Sequence, residues 1–420
     1  MSSLSLLDRF DTPLPLEQSP QDSPYLLLKH SLLTAAYRDT RRIQDSQGRR
    51  ILDIGCGSGY KALTLAIANP GAHIVGIDIS ETSIQRSQER FQHHGLDTGE
   101  FRVLSIEALP SLGMQFDYIN CDEVLYLLPD PVAALQTMKS VLAPGGYIRA
   151  NLHSIYQRRG YYQSQQIFRM LGLMDNPQEM EVEMVRETMQ SLKDNTFIKR
   201  VTWNPIHEEK ATAVLSDYLL ADDKGYTLPD LFAMLEAADL RFVSMVNWQQ
   251  WEFLSLFQNP DALPDFWQKN LSRFTPQQQL RFYELLNPIH RTLDFWCTHP
   301  TSEPPPAKHD IPTRIHLHPV LQTEAVRSAI AQSYAMATPF DFTQHLPLPN
   351  TAPLVIESTV AASLLPLWES PQPFATLVER YRQLHPLDPT TLEPMTAAAI
   401  THQFTTILAP LETHQILLYE

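Results

Sequence analysis

Short apolar runs alternate with amphipathic stretches through the first 150 residues, the spacing of strands followed by helices. RILDIG (50–55) reads as a buried strand. Ala62, Leu63, Ala66 and Ile67 after it fall on one helical face that Pro70-Gly71 stops. AHIVGIDI (72–79) is the next strand, and its helix starts near Ser80, buries Ile84 and Phe91, and ends at Gly95. FRVLSI (101–106) and FDYINC (116–121) give two more strands. Asp130 then caps a helix with Pro131 in its first turn, and Pro144-Gly145-Gly146 closes it before a fifth strand, YIRANLH (147–153). Repeated βα units of this kind predict a doubly wound, Rossmann-like parallel α/β sheet with right-handed crossovers and a ligand at the strands' carboxyl ends.

Beyond residue 153 the period changes. Residues 154 to about 220 carry no strand pattern and include Met170, Met174, Met180, Met184 and Met189, so a helical cap insertion is predicted. TLPDLFAMLEAADL (227–240) then reads as a helix and RFVSMVNW (241–248) as a strand returning to the sheet edge. Thirteen of the 14 glycines lie at or before Gly172, which leaves the rest suited to helices joined at proline-marked corners. The predicted organisation is a sheet domain over 1–255, a helical extension over 256–300, a proline-rich linker over 301–310 and a C-terminal module over 311–420. In that module helices at 355–368, 374–384 and 391–408 precede a strand at 414–420, an order like that of a winged helix.

Composition narrows the classes. At 420 residues the chain exceeds the ~250–300 at which a single core stops growing, so more than one domain is expected. No apolar run reaches the ~18 residues of a membrane helix, and no basic-then-apolar leader opens the chain, so a cytoplasmic protein without a membrane partner is expected. A net charge of −15 with no basic cluster argues against nucleic acid. Cys56, Cys121 and Cys297 are too few and too dispersed for a disulfide framework, and His316 and His318 lack a third ligand, so no metal site is expected.

The most informative segment is ILDIGCGSG (51–59), a strand that ends with Asp53 and runs into Gly55, Gly57 and Gly59 at a helix start. A dinucleotide fingerprint would need its third glycine at the position of Tyr60, and no phosphate-loop Gly-Lys-Ser/Thr follows. Asp78, at the end of the second strand, is placed to accept both hydroxyl protons of an adenosine ribose. The Asp-x-Gly-x-Gly-x-Gly pattern resembles motif I of class I S-adenosylmethionine-dependent methyltransferases. SIEALP (105–110), FDYINCDEVLYLLPDP (116–131) and LAPGGYI (142–148) follow in the same family's order. The likeness is firm over about 45–155 and looser to about 255.

The resemblance implies S-adenosylmethionine as cofactor and S-adenosylhomocysteine as product. It places the cofactor against Asp53, Gly55, Cys56, Gly57, Gly59, Asp78 and Ile79, with adenine near Ser105, Ile106 and Glu107 and the methionine part near Cys121 and Asp122. Two departures stand out. Ser105 occupies the place of the family's usual aspartate, with Glu107 the substitute acceptor, and Tyr126-Leu127 replaces paired histidines. Methyl transfer needs in-line placement and, for some nucleophiles, a general base. Glu123, Tyr126, His153 and Tyr156, on the segments after the fourth and fifth strands, are the field for that base. The acceptor is a small metabolite or a protein side chain, and a non-catalytic cofactor-binding regulator is the rival reading. The C-terminal module faintly resembles one appended to bacterial protein lysine methyltransferases, for which partner binding, homodimerisation or substrate presentation is expected.

Overall fold

The computed structural model describes residues 14–300, 312–349, 352–385, 387 and 395–420. The predicted linker at 301–310 lies outside them. Two compact units result: one of residues 1–18, 49–63 and 72–300, the other of 19–48, 64–71 and 301–420.

The first unit is built on strands β1 (Arg50–Ile54), β2 (His73–Asp78), β3 (Gly99–Val103), β4 (Phe116–Cys121), β5 (Leu142–Ser154), β6 (Gly225–Tyr226), β7 (Arg241–Met245) and β8 (Thr292–Thr298). Their order is β3-β2-β1-β4-β5-β8-β7, with β6 also on β5. β1 to β6 pair in parallel, whereas β8 runs antiparallel to β5 and to β7. Order reverses on either side of β1, which opens a crevice beyond the carboxyl ends of β1 and β4.

The helices start where the capping residues stand. Ser80 accepts from the Ser83 amide before Glu81–His93, and Asp130 from the Ala133 amide before Pro131–Ser140. Thr227 and Asp230 form a capping box at Leu228–Ala237. Leu52, Ile77, Ile119, Ile148, Leu293 and Phe295 are all buried in one core along the sheet. The insertion is helical as predicted (Arg159–Met170, Glu179–Ser191, Phe197–Thr202, Pro205–Glu209 and Ala211–Tyr218). It has its own core of Phe168, Val182, Val185, Val214 and Tyr218. Met174 and Met189 belong to that core, while Met170, Met180 and Met184 are exposed.

One prediction is corrected. Residues 256–300 are not a purely helical extension: after the helices Asp265–Asn270 and Pro276–Leu286, residues 292–298 form β8, inside the sheet rather than beside it. Nearly all of β8 is buried, so it lacks the polar alternation by which a half-exposed strand is recognised. Asp294 interrupts its apolar run.

In the second unit an antiparallel sheet β12-β9-β13 (Gln372–Pro373, Arg314–Leu317, Leu417–Tyr419) and a pair β10-β11 (Phe340–Asp341, Val355–Ile356) accompany the helices Glu324–Ala335, Ser358–Ser363, Phe374–Leu384 and Ala397–Thr413. The helices Pro24–His30 and Leu32–Thr40 belong to this unit. Thr34 Oγ1 lies 3.0 Å from His318 Nε2, and the Tyr37 hydroxyl donates to Glu412 at 3.1 Å. Burial holds His318 down at about 3, so it is a neutral core residue.

Candidate active site

The glycine turn leaves β1 with Gly55, Gly57 and Gly59 all at positive φ (68°, 53° and 81°). Positive φ is open to glycine at little cost. A Cβ on Gly55 would stand 2.5 Å from Val124, and one on Gly59 would stand 2.8 Å from the Ser87 backbone. Beside Gly57 nothing among the described residues lies within 4 Å, so none of them closes that face of the turn. Asp78 ties the turn to the end of β2: its Oδ2 accepts the Gly57 amide at 3.0 Å and its Oδ1 the Ser80 amide at 2.9 Å. Arg90, fully buried, donates to the Ser58 carbonyl and to carbonyls of Leu14 and Pro15, fixing the turn from behind.

Cys56 is buried with its thiol 3.7 Å from the Ser87 hydroxyl, and burial pushes that thiol well up, away from nucleophilic character. Ile79 and Val103, at the ends of β2 and β3, are apolar yet about half exposed (48% and 52%). Leu104 donates to the Asp78 carbonyl, which brings the chain before Ser105 alongside the second strand. Ser105 then opens the 3-10 turn Ile106–Leu112 with no side-chain cap; Ile106 is buried and Glu107 exposed.

A polar network crosses β1, β4, β5 and β8. Asn120 donates to Asp53 at 2.8 Å, Arg149 donates to Asn120 at 3.2 Å, and Arg149 meets both oxygens of Asp294 at 3.1 and 2.7 Å. Burial pushes Asp53 up to about 7, only partly offset by Asn120, and its Oδ2 makes no hydrogen bond among the described residues. Asp122 pairs with Lys61 and accepts from Asn151 at 2.5 Å; Cys121 beside it is buried.

Three of the four predicted base candidates converge. Glu123 receives the Arg291 guanidinium through two hydrogen bonds (3.1 and 2.9 Å) and the Tyr126 hydroxyl at 2.7 Å. The Tyr126 ring stacks on His153 with centroids 3.6 Å apart. His153 Nε2 is buried 3.7 Å from Glu123 and makes no hydrogen bond among the described residues, while its Nδ1 is 2.6 Å from Asp223. Burial would raise Glu123, but His153, Arg291 and Tyr126 outweigh it and hold the carboxyl near 2. Burial and the adjoining Glu123 push Tyr126 well above its usual range. Tyr156 is engaged elsewhere, its hydroxyl accepting from Arg281 at 2.9 Å.

Sequence reasoning missed Asp223, Arg291, Arg149, Asn120 and Asn151. One signal was present: Arg149, Asn151 and His153 recur every second residue on a strand with both faces buried, and polar side chains on one face of such a strand must find one another.

An open glycine turn at the switch point of a doubly wound sheet, held by an acid at the end of the next strand, is an arrangement that suits a nucleotide or nucleoside ligand. A family model described as a methyltransferase domain matches residues 45–212. The chain carries a class I S-adenosylmethionine-dependent methyltransferase domain. An uncharacterized protein of a Synechococcus strain is 32% identical over 252 residues, 59% of each chain. The ubiquinone biosynthesis O-methyltransferase of Bordetella avium is 37% identical over 106 residues, 24% of this chain and 42% of that one. The chain thus spans less than two thirds of either relative's length. The solved structure of PKMT2 from Rickettsia typhi in complex with AdoHcy superposes at a TM-score of 0.60 with 15% identity, covering 97% of this chain and 77% of that one, and shows the fold.

Proposed function

We infer that the protein transfers a methyl group from S-adenosylmethionine to an acceptor whose O–H or N–H must lose its proton. The cofactor fits what the crevice offers. The open face of Gly57 admits a close backbone approach. Asp78 Oδ2 accepts the Gly57 amide and its Oδ1 the Ser80 amide, which holds the carboxylate at the end of β2 where ribose hydroxyls can donate to it. Ile79 and Val103 offer apolar surface to an adenine ring, with Ser105, Ile106 and Glu107 bordering it. Asp53 Oδ2, buried without a hydrogen-bond partner among the described residues, can accept a proton donor such as the cofactor's amino group, directly or through water, beside Gly55, Cys56, Gly59, Cys121 and Asp122. When bound, S-adenosylmethionine supplies an electrophilic methyl on a sulfonium.

Carrying the chemical reading is the buried Nε2 of His153, 3.7 Å behind the Glu123 carboxylate. Glu123, half-buried, faces outward and is fixed by Arg291 and Tyr126, so it can orient the acceptor's proton. A carboxyl held near 2 is a poor resting place for a proton at neutral pH. Its neighbour His153 then takes the proton on Nε2, where the imidazolium would stand between the carboxylates of Glu123 and Asp223. Tyr126, a donor to Glu123, keeps its proton and packs the ring. The balance is closed: the acceptor gains a methyl and loses a proton, and His153 holds that proton until solvent removes it.

Methyl-tritiated S-adenosylmethionine incubated with panels of phenols, catechols and primary amines tests this. The O-methyltransferase name of the Bordetella relative makes the hydroxylated aromatics the first panel. Transfer to a hydroxyl or amine should fall ~100-fold or more in His153→Gln, with cofactor affinity nearly unchanged. Turnover in that variant within a few fold of wild type would leave methyl transfer by proximity alone.

A further inference from the structure

We propose that Asp223, on the segment between the helical insertion and β6, is the positioning residue that keeps the lone pair of His153 on Nε2, and so links the insertion to the chemistry. The proposal rests on the reading of His153 as proton acceptor.

Asp223 Oδ1 is 2.6 Å from His153 Nδ1 and 3.4 Å from the Tyr162 hydroxyl. Its Oδ2 accepts from Arg158 at 2.8 Å and from Gln165 at 3.0 Å. Both donors belong to the insertion and its entry. Arg158 also reaches Asp217 at 3.0 Å, and Asp217 lies 3.0 Å from His207 Nε2, so the carboxylate is anchored to several insertion segments at once. The groups around His153 are Glu123 and Asp223, with Arg291 and Arg158 behind them and Tyr126 stacked on the ring. Burial works against ionisation of Asp223, yet the hydrogen bond from His153 and the Arg158 charge hold it below the usual carboxylate range. An ionised Asp223 is an acceptor only, so Nδ1 carries a proton and, in the neutral ring, Nε2 the lone pair.

An amide in place of this carboxylate reverses the arrangement. The side chain introduced by Asp223→Asn would have one acceptor and one donor end. Its oxygen must face Arg158 and Gln165, because the opposite setting would point an NH2 group at a guanidinium and an amide donor. Gln165 cannot turn to relieve that clash, since its amide also donates to the Asp217 carbonyl at 3.1 Å. The NH2 of the substituted side chain then faces His153 Nδ1, which must become the acceptor. The ring proton moves to Nε2, toward Glu123, and the proton-accepting lone pair is lost without any change of charge at the ring.

The test is ¹⁵N NMR of the histidine rings in the full chain, with His153→Gln used to assign the signals. Wild type should show a protonated Nδ1 and a free Nε2, and Asp223→Asn should exchange the two. If Asp223→Asn does not fold, wild type decides alone: a ring protonated at Nε2 overturns the proposal. A folded Asp223→Asn that keeps the proton on Nδ1 also overturns it. The readout needs no methyl acceptor, so it separates from the functional reading. A tautomer exchange with undiminished turnover would preserve the positioning role and defeat the base.

Discussion

Glu123 sits in a left-handed backbone conformation, φ 63°, which costs a side chain with a Cβ ~1–3 kcal/mol and persists only where surroundings hold it. Here the Asn151 side chain accepts its amide at 2.9 Å and Arg291 grips its carboxylate. A Glu that loses its proton near 2 in the fold and near 4.5 in the unfolded chain binds fewer protons when folded. Its contribution to stability is therefore present above about 4.5 and lost as pH falls toward about 2. Glu123→Gln should lower the thermal unfolding midpoint at neutral pH, and the gap to wild type should close across that acid window. A gap that stays constant with pH would show that the Arg291 pair contributes nothing through ionisation. Residues of the turn were legible because their chemistry is local: Asp53, Gly55, Gly57 and Asp78 announce themselves by spacing. Asp223 and Arg291 were not, because each meets its partner only through the fold, 70 and 168 residues away in sequence.

Elements whose hydrophobic period is clean, β1 to β5 and the helices capped by Ser80, Asp130 and Thr227, follow directly from the pattern of apolar positions. β8 does not, since burial on both faces erases the alternation, and Asp294 within it has a meaning only once the Arg149 side chain reaches it from the neighbouring strand. This strand nonetheless fixes the site: Arg291 immediately precedes it, and the Ser154 amide donates to the Arg291 carbonyl at 2.9 Å. Leu293, fully buried in the sheet core, should therefore matter to both stability and site. Leu293→Ala is predicted to cost ~2–5 kcal/mol, read as a lowered denaturant midpoint with an unchanged slope. A cost below ~1 kcal/mol would place β8 at a loosely packed edge instead.

For the whole molecule, the parallel strands β1 to β5 were readable from βα repetition, whereas the composition of the second unit was not. Residues 19–48 join the C-terminal residues through contacts such as Tyr37 with Glu412 and Thr34 with His318, and nothing local in either segment foretells the other. The helices Ser358–Ser363, Phe374–Leu384 and Ala397–Thr413 and the strand β13 fall near the predicted stretches, and partner binding, homodimerisation or substrate presentation remains our proposal for the unit. In the first unit, everything proposed for the chemistry depends on the turn of Gly55, Gly57 and Gly59 with Asp78 being an S-adenosylmethionine site. Isothermal titration of S-adenosylmethionine and S-adenosylhomocysteine into wild type and Asp78→Ala tests it most directly. The account predicts binding of both to wild type and a loss of roughly tenfold or more in the variant, since hydrogen bonds to a charged acceptor contribute ~1.5–3 kcal/mol. Equal affinity in wild type and a folded Asp78→Ala would contradict it.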